Sequence, residues 1–249
     1  MATGIDLTGI DNVNEYYTNH YLTTIFGDNI KTHVGEWKDI AKDTEGSTPW
    51  SALRAIGRHY YRAHERFQRQ RLDEDLLEQI SQLAGEYLAA LGYPVMEAEL
   101  IPLDNDVLVP VALEIKDKNN RPLLWAILSA SQDFSAGIMD SHGFSAEISE
   151  SRFTSINNEE LTNKIFFDQQ EPPRWLLFIG MNQIILADRN KWNEKRCLSF
   201  DLETLYSRND EGTWQAVSVL LHCDSLCPTE GQPLLDELDK ESEKNAAGV

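Results

Sequence analysis

Two sets of residues in this sequence have the types and spacing to do chemistry. The first is Glu114-Ile-Lys116, with Asp106 upstream of it. A pair of carboxylates can hold a divalent cation such as Mg²⁺, and a neighbouring lysine can orient an attacking water and stabilise developing charge. Residues two apart on a strand share one face, so Glu114 and Lys116 would point the same way. Asp106, Glu114 and Lys116 are therefore a candidate catalytic set for metal-assisted hydrolysis, with Asp106 and Glu114 as the metal ligands. Asp104 is the alternative first acid, and Glu86, on the preceding helix, an auxiliary one. Asp106 and Glu114 fall on one continuous expected strand.

The second set is cationic. Residues 51–71 read as one helix that holds six of the chain's twelve arginines. Arg54, Arg58, Arg62 and Arg66 recur every fourth residue and form a ridge, which Arg69 extends. Leu53, Ile56, Tyr60 and Phe67 form an apolar ridge at helical spacing. Such a helix docks on a core by one face and offers guanidinium groups by another. Two readings follow. The arginines pair with the chain's own carboxylates, or Arg54, Arg58, Arg62, Arg66 and Arg69 bind the phosphates of DNA.

Charge sharpens that choice. The 249 residues carry 41 acidic and 22 basic side chains, for a net charge of −19. Phosphate attraction is a charge effect, so this balance disfavours nucleic-acid binding by the surface at large. A local basic seam, or docking on a basic partner, remains compatible with it. The composition, 41% hydrophobic and 25% charged, suits a chain with a real core. No apolar run approaches the ~20 residues of a membrane span, and the N-terminus lacks a signal-peptide pattern. Cys197, Cys223 and Cys227 are sparse and odd in number, which points to a reducing cytoplasm rather than a disulfide framework. Cys223 and Cys227 with His222 lack a properly spaced fourth zinc ligand. His20, His59, His64 and His222 have no nucleophile at a spacing that names a triad.

The elements that must position these groups fall in two runs. Residues 1–10 carry no strong pattern. Helices are expected over 12–26, 29–42, 51–71 and 72–91, the last ending at Gly92. Strands follow over 95–103, 107–116 and 123–130, with turn chemistry at Lys118-Asn-Asn-Arg-Pro122. Residues 131–160 read as a long polar connection, of the kind that is functional or ordered by a partner. Strands at 174–179 and 183–188 make a hairpin about Gly180-Met-Asn182. A short helix capped by Asp201 and an apolar helix over 213–221 complete the pattern. The expected fold class is α+β: N-terminal helices, then a mixed β-sheet with flanking helices. The expected division is an N-terminal helical region at 1–92, a nuclease-like core at 93–223, and an acidic stretch at 224–249 that reads as a linker or as the start of a helix.

Several stretches carry a resemblance. Asn12-Val-Asn-Glu-Tyr-Tyr-Thr-Asn-His-Tyr-Leu22 resembles the opening of large single-chain type IIG-like restriction-modification proteins, the DNA adenine methyltransferases of bacterial defence. Trp125-Ala-Ile-Leu-Ser-Ala130, Glu171-Pro-Pro-Arg-Trp-Leu-Leu177, Asp188-Arg-Asn-Lys-Trp192 and Val219-Leu-Leu-His222 with Ser225-Leu-Cys-Pro228 agree with it. The resemblance implies an N-terminal region whose partners are DNA and a methyltransferase region further along the same polypeptide. S-adenosylmethionine would belong to that downstream region. This chain has neither an Asn-Pro-Pro-Tyr/Phe motif to hold a flipped adenine nor a glycine-rich loop after a first strand. The resemblance also implies a PD-(D/E)xK nuclease-like core, with Asp106, Glu114 and Lys116 as its DNA-cleaving site and Mg²⁺ if the site is active, although the usual pattern has its acid on one strand and the E-x-K on the next. In that pattern an acid belongs near Leu128-Ser129-Ala130, and Ser129 cannot replace a metal-binding carboxylate. The expected role is an accessory domain that engages or gates DNA. The alternatives are an acidic protein-interaction module and an active Mg²⁺-dependent nuclease.

Overall fold

The structure, a computed structural model, describes residues 4–70, 73–95, 97–104, 107–130, 137–144 and 153–246. Strand β1 (Ile10–Val13) leads into helices α1 (Asn19–Thr24), α2 (Phe26–Asp43), α3 (Pro49–Ala55), α4 (Gly57–Gln70) and α5 (Asp73–Ala90). A meander of β2 (Glu99–Asp104), β3 (Val107–Lys116) and β4 (Pro122–Ala130) follows. Next come β5 (His142–Phe144), β6 (Phe153–Asn157), α6 (Asn158–Asn163), and the hairpin β7 (Trp175–Ile179) and β8 (Gln183–Asp188). The chain closes with β9 (Cys197–Asp201), α7 (Leu202–Arg208), α8 (Glu211–Leu221), α9 (Cys223–Leu226) and α10 (Leu234–Ala246).

Seven strands form one mixed sheet in the order β1-β9-β8-β7-β4-β3-β2, and the β5–β6 hairpin extends from the end of β4. The β4–β7 pair is parallel, with Leu124 opposite Trp175 and Leu128 opposite Ile179. The other pairs are antiparallel. The fold is therefore α+β. Strand β7, Trp-Leu-Leu-Phe-Ile, is buried at every position, as a central strand covered on both faces must be. Alternation sorts the side chains between two cores. Leu124, Ala126, Leu177 and Leu186 face the helical layer with Leu53, Tyr87, Trp214 and Val217. Trp125, Ile127, Leu176, Phe178 and Ile185 face a smaller layer with Leu161, Ile165, Phe166 and Trp192.

Local chemistry sets the helix ends. Thr48 caps α3 and Pro49 opens it, Asp201 caps α7, and Asp210 caps α8, its Oδ1 accepting from Thr213 N at 2.8 Å. Three expectations change. The helix expected over 12–26 is strand β1, a bend, and α1. Asn14 and Glu15 adopt left-handed backbone (φ 52° and 57°), which ends β1, and Thr18 caps the helix that follows. The helix expected over 51–71 breaks at Ile56, so the arginines divide between α3 and α4. Gly57 lies against the Tyr206 ring, where a Cβ would stand 3.1 Å from it. Within 131–160, the described residues form a 3₁₀ turn (Ile138–Asp140), β5, β6 and the start of α6 rather than a loop.

The stretch expected as a linker or helix start also folds onto the body. Helix α10 buries Leu234, Leu235, Leu238 and Ser242. Tyr17 donates its hydroxyl to Leu235 O at 3.0 Å, and Ser242 Oγ accepts from Thr18 N at 2.9 Å. Arg174, next to the first residue of β7, bonds both Asp188 and Asp236 of α10. Asp188 is wholly buried and also accepts from the Tyr16 hydroxyl at 2.7 Å. Lys191 pairs with Asp239 and lies 4.3 Å over the Tyr16 ring. Burial alone would push the Arg174 guanidinium down, but its bonds to Asp188 and Asp236 outweigh that and hold it firmly charged.

Candidate nucleic-acid interface

Helix α4 is amphipathic in the sense the sequence requires. Tyr60, Ala63 and Phe67 are buried at helical spacing. Arg58, Tyr61, Arg62, Glu65, Arg66 and Arg69 occupy the opposite, exposed stripe. Within that stripe Arg69 pairs with Glu65 at 2.8 Å, an i,i+4 contact. Arg62, Glu65, Arg66 and Arg69 line an open concavity of about 330 Å³. Among the described residues, Arg58 and Arg62 form neither an ion pair nor a side-chain hydrogen bond. In a chain of net charge −19 that is informative, since carboxylates are the commonest exposed charge.

Arg54 departs from the expected set. It stands on α3, and its Nε donates to Asn209 Oδ1 at 3.0 Å while Nη2 donates to Asn209 O at 3.3 Å. Glu211 lies 3.9 Å away. Arg54 thus fastens α3 to the turn between α7 and α8. Of the five arginines expected to contact DNA, Arg58, Arg62, Arg66 and Arg69 share one exposed face. His59 Nδ1 sits 2.6 Å from Glu86 Oε1 and ties α4 to α5.

Of the candidate nuclease residues, Glu114 and Lys116 are described, and they pair with each other. Asp106 lies outside the described residues. Glu114 is engaged otherwise: its Oε2 accepts from Trp125 Nε1 at 2.6 Å, and its Oε1 lies 3.1 Å from Lys116 Nζ. Its side chain is only 10% exposed. Glu114 is the acceptor that satisfies an indole N–H in the smaller core, and Lys116 neutralises it. Glu86, engaged with His59, is likewise committed. Glu114, Lys116 and Glu86 thus each have a protein partner in this structure. Among the described residues no three His, Cys, Asp or Glu side chains are grouped to hold a metal.

At the far end of β4, Ser129 is buried and neutral. Its Oγ accepts from Asn158 Nδ2 at 2.7 Å, and the same amide donates to Ile138 O at 2.8 Å. Nearby, Gln183 Oε1 accepts from Ile138 N and Gln183 Nε2 donates to Ser199 Oγ. A row of neutral amides and hydroxyls thus occupies the end of β4, where the resembling pattern would carry an acid. Cys197, Cys223 and Cys227 are free thiols. Burial pushes Cys197 up to about 12, and burial with the neighbouring Asp224 pushes Cys223 up to about 11.

No helix among the described residues is long and apolar enough to cross a membrane. Comparison with protein-family models, with curated proteins and with solved structures found no match to this chain.

Proposed function

We propose that this chain is a non-catalytic module that engages nucleic acid through α4, an accessory domain with a nuclease-like core in a DNA restriction-modification or methyltransferase enzyme of bacterial defence. The observation that carries the reading is the pair Arg58 and Arg62, exposed on one helix face and without an ionic partner among the described residues. Arg66 and Arg69 continue the same face. The guanidinium groups of Arg58 and Arg62, unpaired among the described residues of so acidic a chain, are suited to phosphates. The neutral row around Ser129 and the commitment of Glu114 to Trp125 support a role without hydrolysis.

Titration of a labelled 20-base-pair duplex at several salt concentrations tests this reading. Arg58→Ala and Arg62→Ala should each weaken binding and lower the slope of log K against log salt by about 0.9 for each phosphate no longer neutralised. Unchanged affinity and slope in the double variant would overturn it.

The net charge of −19 favours a second reading, an acidic module that docks on a basic protein surface. No DNA binding by the wild-type chain, with salt-sensitive binding to a basic polypeptide, would select that reading.

A further inference from the structure

Tyr61 is 48% exposed, one of four large hydrophobic side chains so exposed among the described residues. The others are Ile40, Val95 and Phe167. Tyr61 differs from them in its neighbours: Arg58 is one helical turn before it and Arg62 follows it, and both are exposed and unpaired among the described residues. An exposed ring one helical turn from one uncommitted guanidinium and next in sequence to another combines a stacking surface with two phosphate ligands.

The ring is also held in place. Trp214 packs on Tyr206 at 4.7 Å, Tyr206 stacks on Tyr60 at 4.9 Å and 25°, and Tyr60 meets Tyr61 edge to face at 5.2 Å and 70°. Tyr206 contacts Tyr61 as well, at 6.5 Å. Trp214, Tyr206 and Tyr60 are buried, so Tyr61 is the outermost ring of a ladder that runs from the core to the surface. A side chain supported in this way loses little conformational freedom when a ligand covers it.

We infer that this surface takes unpaired nucleotides, with a base stacked on Tyr61 and the flanking phosphates on Arg58 and Arg62. The inference rests on the reading of α4 as a nucleic-acid contact and adds the class of nucleic acid to it. A duplex offers phosphates to the arginines, but its bases are already stacked on one another and cannot cover a ring on a helix face. A single strand offers both, and stacking on an aromatic side chain accepts any base.

The test is fluorescence anisotropy with a labelled twelve-residue oligothymidine and, separately, a duplex of equal length, both at low salt. The wild-type chain should prefer the single strand. Tyr61→Ala should weaken oligothymidine binding about tenfold and leave duplex binding within twofold, whereas Tyr61→Phe should retain both. The Arg58→Ala/Arg62→Ala double variant should weaken both ligands. Circular dichroism of each variant checks that α4 is intact. If Tyr61→Ala changes neither ligand, or weakens both equally, the stacking role is wrong while the arginine contact stands. If the wild-type chain binds neither oligonucleotide, the arginine contact fails and the stacking role with it.

Discussion

Arg174 grips Asp188 through two parallel hydrogen bonds, Nε to Oδ1 at 2.7 Å and Nη2 to Oδ2 at 3.1 Å, and Asp188 is wholly buried. A fork-to-carboxylate pair of this geometry holds both partners in fixed positions. Its value lies less in the pair itself than in the cost of breaking it, because a lone buried carboxylate is poorly tolerated. Arg174→Met should therefore destabilise the protein by about 3–5 kcal/mol, read as a drop in the urea midpoint. A loss below ~1 kcal/mol would mean that Tyr16 and the Asn190 amide suffice to hold Asp188.

His222 supplies an acid-sensitive point. Its Nδ1 caps α9 by accepting from Asp224 N at 3.0 Å, and its ring packs 4.7 Å from Trp37. Burial lowers its folded-state pKa, and Asp224 opposes this only in part. A depressed value means the unfolded chain takes up the proton first. The stability that His222 contributes is complete above its unfolded value near 6.5 and falls away as pH drops below it. Urea midpoints measured between pH 7.5 and 5 should decline, and His222→Asn, which keeps a capping acceptor, should flatten the decline. Equal slopes in the two proteins would exclude His222 as the cause.

The same ring constrains Gly92. That residue has φ +78°, and a Cβ there would stand 2.6 Å from the imidazole. Gly92→Ala should cost more than ~1 kcal/mol by thermal or urea unfolding, through backbone strain and overpacking together. A neutral effect would show that α9 can shift away from the α5 terminus.

Glu114 separates a structural acceptor from a catalytic acid. Glu114→Leu leaves the Trp125 indole N–H without its partner and should destabilise by about 1–3 kcal/mol, while Glu114→Gln, which retains an acceptor oxygen, should cost less. Any nicking of supercoiled plasmid with Mg²⁺ or Mn²⁺ should be equal in wild type, Glu114→Gln and Lys116→Ala. Loss of cleavage in those variants alone would restore Glu114 as a catalytic residue.

The thiols predict an alkaline effect of opposite sign. Folded-state values raised to about 12 at Cys197 and about 11 at Cys223 mean that the unfolded chain loses these protons first. Their contribution is complete below the ordinary thiol value of 9.0 and is lost as pH rises through 9 to 12. Iodoacetamide should label the native protein slowly at pH 8, and urea should unmask fast labelling. Rapid native labelling of Cys223 would contradict this.

Much of the architecture is legible in the sequence because periodicity is a strong signal. The β2–β3–β4 meander, the β7–β8 hairpin and the apolar α8 follow from alternation, turn chemistry and continuous burial. Strand β9, Cys-Leu-Ser-Phe-Asp, escapes such a reading because five residues flanked by polar turns carry too few alternations to declare a strand. The break in the arginine helix is hidden because Arg54 and Arg58 keep helical spacing across Ile56. Only the approach of Tyr206 to Gly57, a tertiary contact, reveals it. The E-x-K triplet suggests chemistry that its surroundings do not support, since spacing on a strand does not reveal that Trp125 faces Glu114 across the pair. The Arg174–Asp188 grip is recoverable in principle. Folding the hairpin about Gly180-Met-Asn182 sets Trp175 opposite Asp188 and so brings Arg174 beside it.

The docking of α10 on the chain's first helix bears on biosynthesis. Thr18 and Ser242 are joined across 224 positions. At ribosomal speeds of roughly 5–20 residues per second, the tyrosines at 16 and 17 must wait on the order of 10–45 s for their last covering segment to emerge. Through that interval they remain available to chaperones or to a wrong neighbour, and slower translation lengthens the exposure.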